Sequence, residues 1–503
     1  MEYAFPARSK SLPGRRLLMW AVLVALAAAS GFVVAARPEW AWLCIGASAG
    51  IVLINQPAYL WAGGALGAAV LSRVLVSWGV APAALNFAHF PLALAAAAVA
   101  TLESNDSTAL GRRVGAGILG LLGVAYASWA WNGGEFLRPI LTWLVFIEPF
   151  LLFYALVRSP MRWERARAFL AVLLGLSVLQ IPLALWQSVR LGWGDAVAGT
   201  FAGLAAGAHV AGAVACLGLL IVLARAVEPG TLQRGRWVAF TLALFAVPVL
   251  ADAKQVIVAF LPAFALVVAR ASGRRIAPAV AASALIAVLV VSAAYVYSPL
   301  QSLLNAKLFR GGIENKVSSA RLVLDRMESS PVRILLGLGP GNSISRVSLL
   351  TAGGMVKRDS PVSALGLRTA PTTRALLDSY RSNFMWSSSA WTGISSWLGV
   401  FGDLGLLGLA IYVWIGFEIW SAASRLPGQF RGVINGALLS GAVLGVVYSW
   451  LEEPGYTLPL AALCAVAWAA GNAEQRGGAA GAAAGRIREP EPAVRGAEAR
   501  QGF

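Results

Sequence analysis

Residues 204–224 read LAAGAHVAGAVACLGLLIVLA, from Leu204 to Ala224, without one Asp, Glu, Lys or Arg. A helix crosses a bilayer with about 20 mainly apolar residues, so this run is long enough to span. Its glycines and alanines would let neighbouring helices approach closely in lipid. Similar runs recur along the chain, centred on 17–36, 40–55, 58–79, 82–102, 114–132, 138–157, 168–188, 237–251, 255–270, 278–297, 402–423, 433–450 and 456–472. The pattern predicts an all-α, polytopic membrane protein of about fourteen spans. Composition agrees: 58% of the 503 residues are hydrophobic and 13% charged, and mean hydropathy is +0.71. Soluble domains carry about 25% charged residues. A cytosolic enzyme, a secreted disulfide scaffold and a disordered chain are therefore excluded. Cys44, Cys216 and Cys464 all lie in apolar runs and read as small buried hydrophobes.

The basic residues set an expected orientation. Arg15 and Arg16 precede the first run, which at about 20 residues exceeds a signal peptide's apolar core and reads as a retained anchor. If the N-terminus is cytoplasmic, every second loop should be basic. Those loops hold Arg112 and Arg113, Arg158 to Arg167, Arg225 to Arg236, Arg270 to Arg275, and Arg425 with Arg431; only the turn at Gln56 and Pro57 lacks a basic residue. The expected division is residues 1–298 as spans one to eleven, 299–392 as one large, partly helical periplasmic loop, 393–472 as spans twelve to fourteen, and 473–503 as a disordered cytoplasmic tail. The expected location is the bacterial inner membrane, with both termini cytoplasmic. Residues 299–392 carry twelve basic and five acidic residues. Long loops translocate largely regardless of charge, so this excess suits an anionic ligand at the outer surface. The net charge of +17 is read as loop charge, with no nucleic-acid partner.

No phosphate-binding loop, dinucleotide fingerprint, HExxH or CxxC is present, and there are only two histidines. No metal and no cofactor are expected, so any chemistry rests on Arg, Lys, Asp and Glu at the membrane surface. Charges at membrane depth are costly and become candidates by default: Arg73 and Glu148, read as a structural intramembrane pair, as polar helix contacts or as the lining of a transport path, and Glu418 near a span end. At the expected external edge lie Gln180-Ile181-Pro182, Arg190, and Asp195 to Gly199-Thr200-Phe201, then a helix containing His209. The turn Asp252-Ala253-Lys254 follows between two spans. The long loop offers Arg321 in an amphipathic stretch, Arg381, and Leu336-Gly337-Leu338-Gly339-Pro340-Gly341-Asn342, a turn whose backbone N–H groups would suit an oxyanion. Asp403 lies in the Gly402-Asp403-Leu404-Gly405 run, and Glu452 and Glu453 in the last external turn.

In these stretches the chain resembles the O-antigen polymerase and O-antigen ligase family of bacterial envelope polysaccharide assembly. The similarity lies in the Gln-Ile-Pro to Gly-Thr-Phe passage, the charged turn opening the tenth span, the late loop with its Gly-rich turn, and the closing Gly-Asp-Leu-Gly-Leu-Leu-Gly helix. It covers most of residues 136–425. The resemblance implies a metal-independent, membrane-bound glycosyltransferase that moves glycan between undecaprenyl-diphosphate-linked repeat units. Such a polymerase would work beside a chain-length regulator and a flippase in polysaccharide (exopolysaccharide) biosynthesis. It implies Arg190, Lys254, Arg321 and Arg381 as diphosphate contacts and Asp252, Asp403, Glu452 or Glu453 as the catalytic base. Family members often carry Ser-Arg where this chain has Ala253-Lys254, so Lys254 takes the cationic role by position. The ligase branch uses a loop histidine; the late loop here has none, which favours polymerase over ligase. A flippase-type transporter is the other reading.

Overall fold

A computed structural model describes residues 56–103, 108–159, 161, 163–203, 206–226, 234–271, 306–351, 367–375 and 394–486. Among the described residues the regular structure is entirely helical. The helices are α1 (Ala58–Ser77), α2 (His89–Glu103), α3 (Ala109–Asn132), α4 (Arg138–Arg158), α5 (Trp163–Leu191), α6 (Gly207–Ala226), α7 (Arg234–Leu250) and α8 (Lys254–Ala271), followed by three loop helices, α9 (Ala306–Met327), α10 (Pro331–Leu336) and α11 (Arg346–Thr351). The chain closes with α12 (Ser396–Ala423), α13 (Gly428–Val447) and α14 (Pro454–Arg486). Ten helices are long and apolar enough to cross a membrane, and α7 is shorter at 17 residues. These eleven fall on eleven of the expected runs. The expected spans at 17–36, 40–55 and 278–297 lie outside the described residues. One boundary moves: α14 continues to Arg486, so the expected tail begins as helix.

Lipid offers backbone groups no hydrogen-bond partners, which makes the helix the obligatory form of these runs. Helices α4, α6 and α14 are the innermost, with 72%, 83% and 72% of their apolar windows buried. Small residues set the closest approaches. A Cβ on Gly218 of α6 would lie 2.5 Å from Ser177 Cβ on α5, and one on Gly117 of α3 would lie 2.5 Å from Ile415 on α12. The basic short connections gather at one end: Arg158 lies over Gly111, Arg113 pairs with Glu418 at 2.8 Å, and the Arg270 carbonyl abuts Gly428. The opposite end carries α9, α10, α11, residues 192–203 and the turns at 251–253 and 448–453. It is called the loop-bearing end below.

One long helix is broken where the loop meets it. Gly405 in α12 has φ +67° and ψ −166°, a conformation that essentially only glycine adopts. A Cβ there would lie 2.3 Å from the Leu335 carbonyl oxygen at the end of α10. The break would strand carbonyls inside the bundle, and the loop and α3 satisfy them. Leu338 N–H donates to Gly402 O (2.7 Å) and Ser128 Oγ–H donates to Asp403 O (3.2 Å). The end of α13 is handled similarly: Lys316 Nζ of α9 donates to Val447 O (2.6 Å), Ser395 Oγ to Gly445 O (2.9 Å) and Trp397 Nε1 to Ala442 O (2.8 Å).

Candidate functional site

Two polar clusters occupy the loop-bearing end. The first forms where residues 343–346 drop into the bundle between α12 and the turn after α13. Ser343 donates both its backbone N–H (2.9 Å) and its Oγ–H (2.6 Å) to Asp403 Oδ1. Arg346 N–H donates to Glu452 Oε2 (2.5 Å), and the Arg346 guanidinium pairs with Glu453. Three carboxylates, from two elements distant in sequence, thus grip the two ends of a four-residue loop segment. Arg138 of α4 holds the preceding turn through the Gly341 carbonyl (3.3 Å), Asn342 Oδ1 (2.5 Å) and the Arg368 carbonyl, with Glu135 at 2.5 Å on its Nε.

The electrostatics of this cluster are uneven. Burial pushes the Glu452 carboxyl up to about 8, and the nearby Asp403 adds to the shift. Burial also works against charge on Glu453, but Arg346 and Arg73 outweigh it and hold that carboxyl below the ordinary range. Burial opposes the charge on Arg346 too; Glu453 and Glu452 reverse the effect and secure its proton. Around Glu453, then, two guanidinium charges stand against one carboxylate charge, since Glu452 is mostly protonated at neutral pH. Arg73 is partly exposed, and the Arg346 side chain is 18% exposed, whereas Glu452 and Asp403 are sealed at 3% and 0%. What the cluster presents to solvent is cationic.

The second cluster lies at the turn between α7 and α8. Lys254 Nζ sits 2.9 Å from Asp252 Oδ2, and His209 Nε2 of α6 sits 3.9 Å from Asp195 Oδ1. Asp252 has φ +50°, the one positive-φ non-glycine residue among the described residues. Burial raises its carboxyl above the ordinary range, Lys254 opposes the shift and Asp195 adds to it. Here one ammonium faces two carboxylates. The clusters are neighbours: a Cβ on Gly455, two residues after Glu453, would lie 3.0 Å from Val210, the residue after His209, and 2.5 Å from Phe201.

The structure gives several of the expected site residues partners within the protein. Asp403 is fully buried and bonded to Ser343, so it anchors the loop. Glu452 and Glu453 likewise hold Arg346. The Gly-rich turn does present N–H groups to an anion, but that anion is the protein's own Asp403 carboxylate. Lys254 already has Asp252 as counter-charge, which weakens it as a phosphate contact. Arg190, on the last turn of α5, and Arg321, on α9, are exposed and lie in neither cluster. Arg381 lies outside the described residues. Arg73 and Glu148 do not pair with one another: Glu148 meets His89 Nδ1 at 2.5 Å, while Arg73 acts on Glu453. The Gln-Ile-Pro and Gly-Thr-Phe motifs form a clamp, in which Thr200 N–H donates to Gln180 Oε1 (3.0 Å) and Gly199 N–H to Gln187 Oε1 (2.7 Å). Sequence reasoning missed Arg346 altogether. Its signal was weak, one arginine among twelve basic loop residues. Among the described residues no group of three or more His, Cys, Asp or Glu could hold a metal ion. No protein-family model matches the chain, and no curated protein matches it.

Proposed function

We propose that the protein is a lipid-carrier-dependent glycosyltransferase, a polysaccharide polymerase that transfers glycan between undecaprenyl-diphosphate-linked repeat units at the periplasmic face of the inner membrane. The observation that carries this reading is the partly exposed Arg73–Arg346 pair over Glu453, at the end of a helical bundle where a carrier's headgroup would lie. Its excess positive charge suits a diphosphate. In the transfer, an acceptor hydroxyl bonds to the donor's anomeric carbon as the bond from that carbon to the diphosphate oxygen breaks, and the electron pair leaves with the diphosphate. Arg73 and Arg346 would stabilise the charge that develops on the leaving oxygen. Glu453 fixes the Arg346 guanidinium, and Asp403 and Glu452 fix the backbone that carries it. Preorganised charges of this kind add no reorganisation cost during reaction.

The test is reconstitution of the purified protein in liposomes with undecaprenyl-diphosphate-linked repeat units. Longer lipid-linked glycans and released undecaprenyl diphosphate are expected. Glycan transferred only to a different lipid acceptor would identify a ligase instead. Glycan crossing the bilayer with its diphosphate bond intact would identify a flippase.

A further inference from the structure

Of the four carboxylates that the sequence offers as the base, three are spent on the loop. Asp403 binds Ser343, Glu452 binds the Arg346 backbone and Glu453 binds the Arg346 guanidinium. Asp252 differs in every respect that matters. Its side chain is 25% exposed, against 10% for Glu453. It has φ +50°, a conformation uncommon for a residue other than glycine, and unusual backbone of this kind concentrates at functional sites. Its Oδ1 has no hydrogen-bond partner among the described residues, and neither has His209 Nδ1 beside it. An unsolvated carboxylate oxygen makes the group a better proton acceptor.

We infer that the Asp195–His209–Asp252–Lys254 cluster is the acceptor side of the transfer site, taking a sugar hydroxyl, with Asp252 as its general base. This rests on the glycan-transfer reading and assigns the half of the reaction that the arginine pair leaves open. As the acceptor oxygen bonds to the anomeric carbon, its proton passes to the Asp252 carboxylate. Lys254 holds that carboxylate in place, and His209 and the exposed Asp195 frame the approach. The cluster's charge, one ammonium for two carboxylates, disfavours the diphosphate itself. Donor and acceptor are thereby sorted to the two sides of the Phe201–Gly455 contact.

The experiment uses the full-length protein in liposomes, as wild type, Asp252→Asn and Asp252→Gly. Asn tolerates positive φ and Gly relieves it, so both variants keep the turn. Undecaprenyl diphosphate binding and glycan transfer at saturating donor are measured on the same preparations. Expected is wild-type diphosphate binding in both variants with transfer lowered about 10²–10⁴-fold, the usual contribution of a general base. Transfer at the wild-type rate in either variant overturns the assignment while leaving the transferase reading intact. Loss of diphosphate binding in both variants overturns it too, because Asp252 would then belong to the donor side. A wild-type protein that transfers nothing overturns the transferase reading and this assignment with it.

Discussion

At the α12–α13 end, Arg73 and Arg346 face Glu453, with Glu452 protonated beneath them; at the α7–α8 turn, Lys254 faces Asp252 and Asp195. Both clusters combine cations with carboxylates at the same end of the bundle, and they differ in proportion and in depth. The first turns two guanidiniums toward solvent and seals its acids under the loop. The second has surplus negative charge and leaves an acid partly exposed on a strained turn. Charge identity alone therefore does not assign a role. A lysine that already has a counter-ion is a poor phosphate ligand, and an acid already bonded to backbone N–H groups is a poor base.

The comparison breaks most visibly through stability. Arg346→Ala leaves Glu453 buried without its main partner, and removing one member of a buried pair costs about 3–5 kcal/mol. Lys254→Ala opens a more exposed pair and should cost about 1 kcal/mol or less. Thermal unfolding of the two variants in detergent checks the contrast, and equal losses would remove it.

Arg73→Ala should leave the amount of inserted protein unchanged and lower turnover about 10–150-fold, as expected for one charge-assisted contact of about 1.5–3 kcal/mol. Arg73→Lys should retain part of the activity, keeping the charge while losing the planar fork. Full activity per inserted molecule in the Ala variant would take Arg73 out of the site.

Gly405→Ala sharpens the geometric side. Backbone at φ +67°, ψ −166° costs a residue other than glycine about 1–3 kcal/mol, and the added Cβ would press on the Leu335 carbonyl. Helices α10 and α12 must then separate, and Asp403 moves with them. Expected is a lower unfolding midpoint together with faster proteolysis of the 337–346 segment.

A further contrast concerns pH. Glu452 rises from an ordinary 4.5 to about 8 on folding, so the folded protein holds a proton that the unfolded chain has released between those values. Stability from this group is therefore greatest at the acid end of the window and falls as pH climbs towards 8. Lys316, lowered by burial from 10.5 to about 8, has the opposite slope above that point, since there the unfolded chain holds the extra proton. In Glu452→Gln the decline below pH 8 should flatten while the alkaline slope remains. An unchanged profile would mean that Glu452 is ionised in the folded protein.

Eleven helices were legible because a spanning run is a local property: length and apolarity in one window suffice, as at residues 204–224. The carboxylates were also legible as types, since Asp403, Glu452 and Glu453 stand out in apolar surroundings. Their roles were not, because those depend on contacts 60 to 107 residues apart, such as Ser343 with Asp403 and Arg346 with Glu453. The Gly-rich turn was read as a cradle for an oxyanion, but sequence gives no sign that Asp403 of α12 lies against the segment that follows it. Arg73 was visible as a charge at membrane depth. Its partner was left open between Glu148 and another polar helix contact, because both charges lie in spans; the chain brings Arg73 to Glu453 and gives Glu148 to His89.

The division of labour between the clusters turns on where the carrier's diphosphate binds. Undecaprenyl diphosphate binding by the purified protein, measured side by side for wild type, Arg73→Ala and Lys254→Ala, addresses it directly. Expected is a dissociation constant raised about 10–150-fold in Arg73→Ala, for a lost contact of about 1.5–3 kcal/mol, and nearly unchanged in Lys254→Ala. The reverse pattern, with Lys254→Ala impaired and Arg73→Ala normal, would contradict the placement of the diphosphate at the arginine pair.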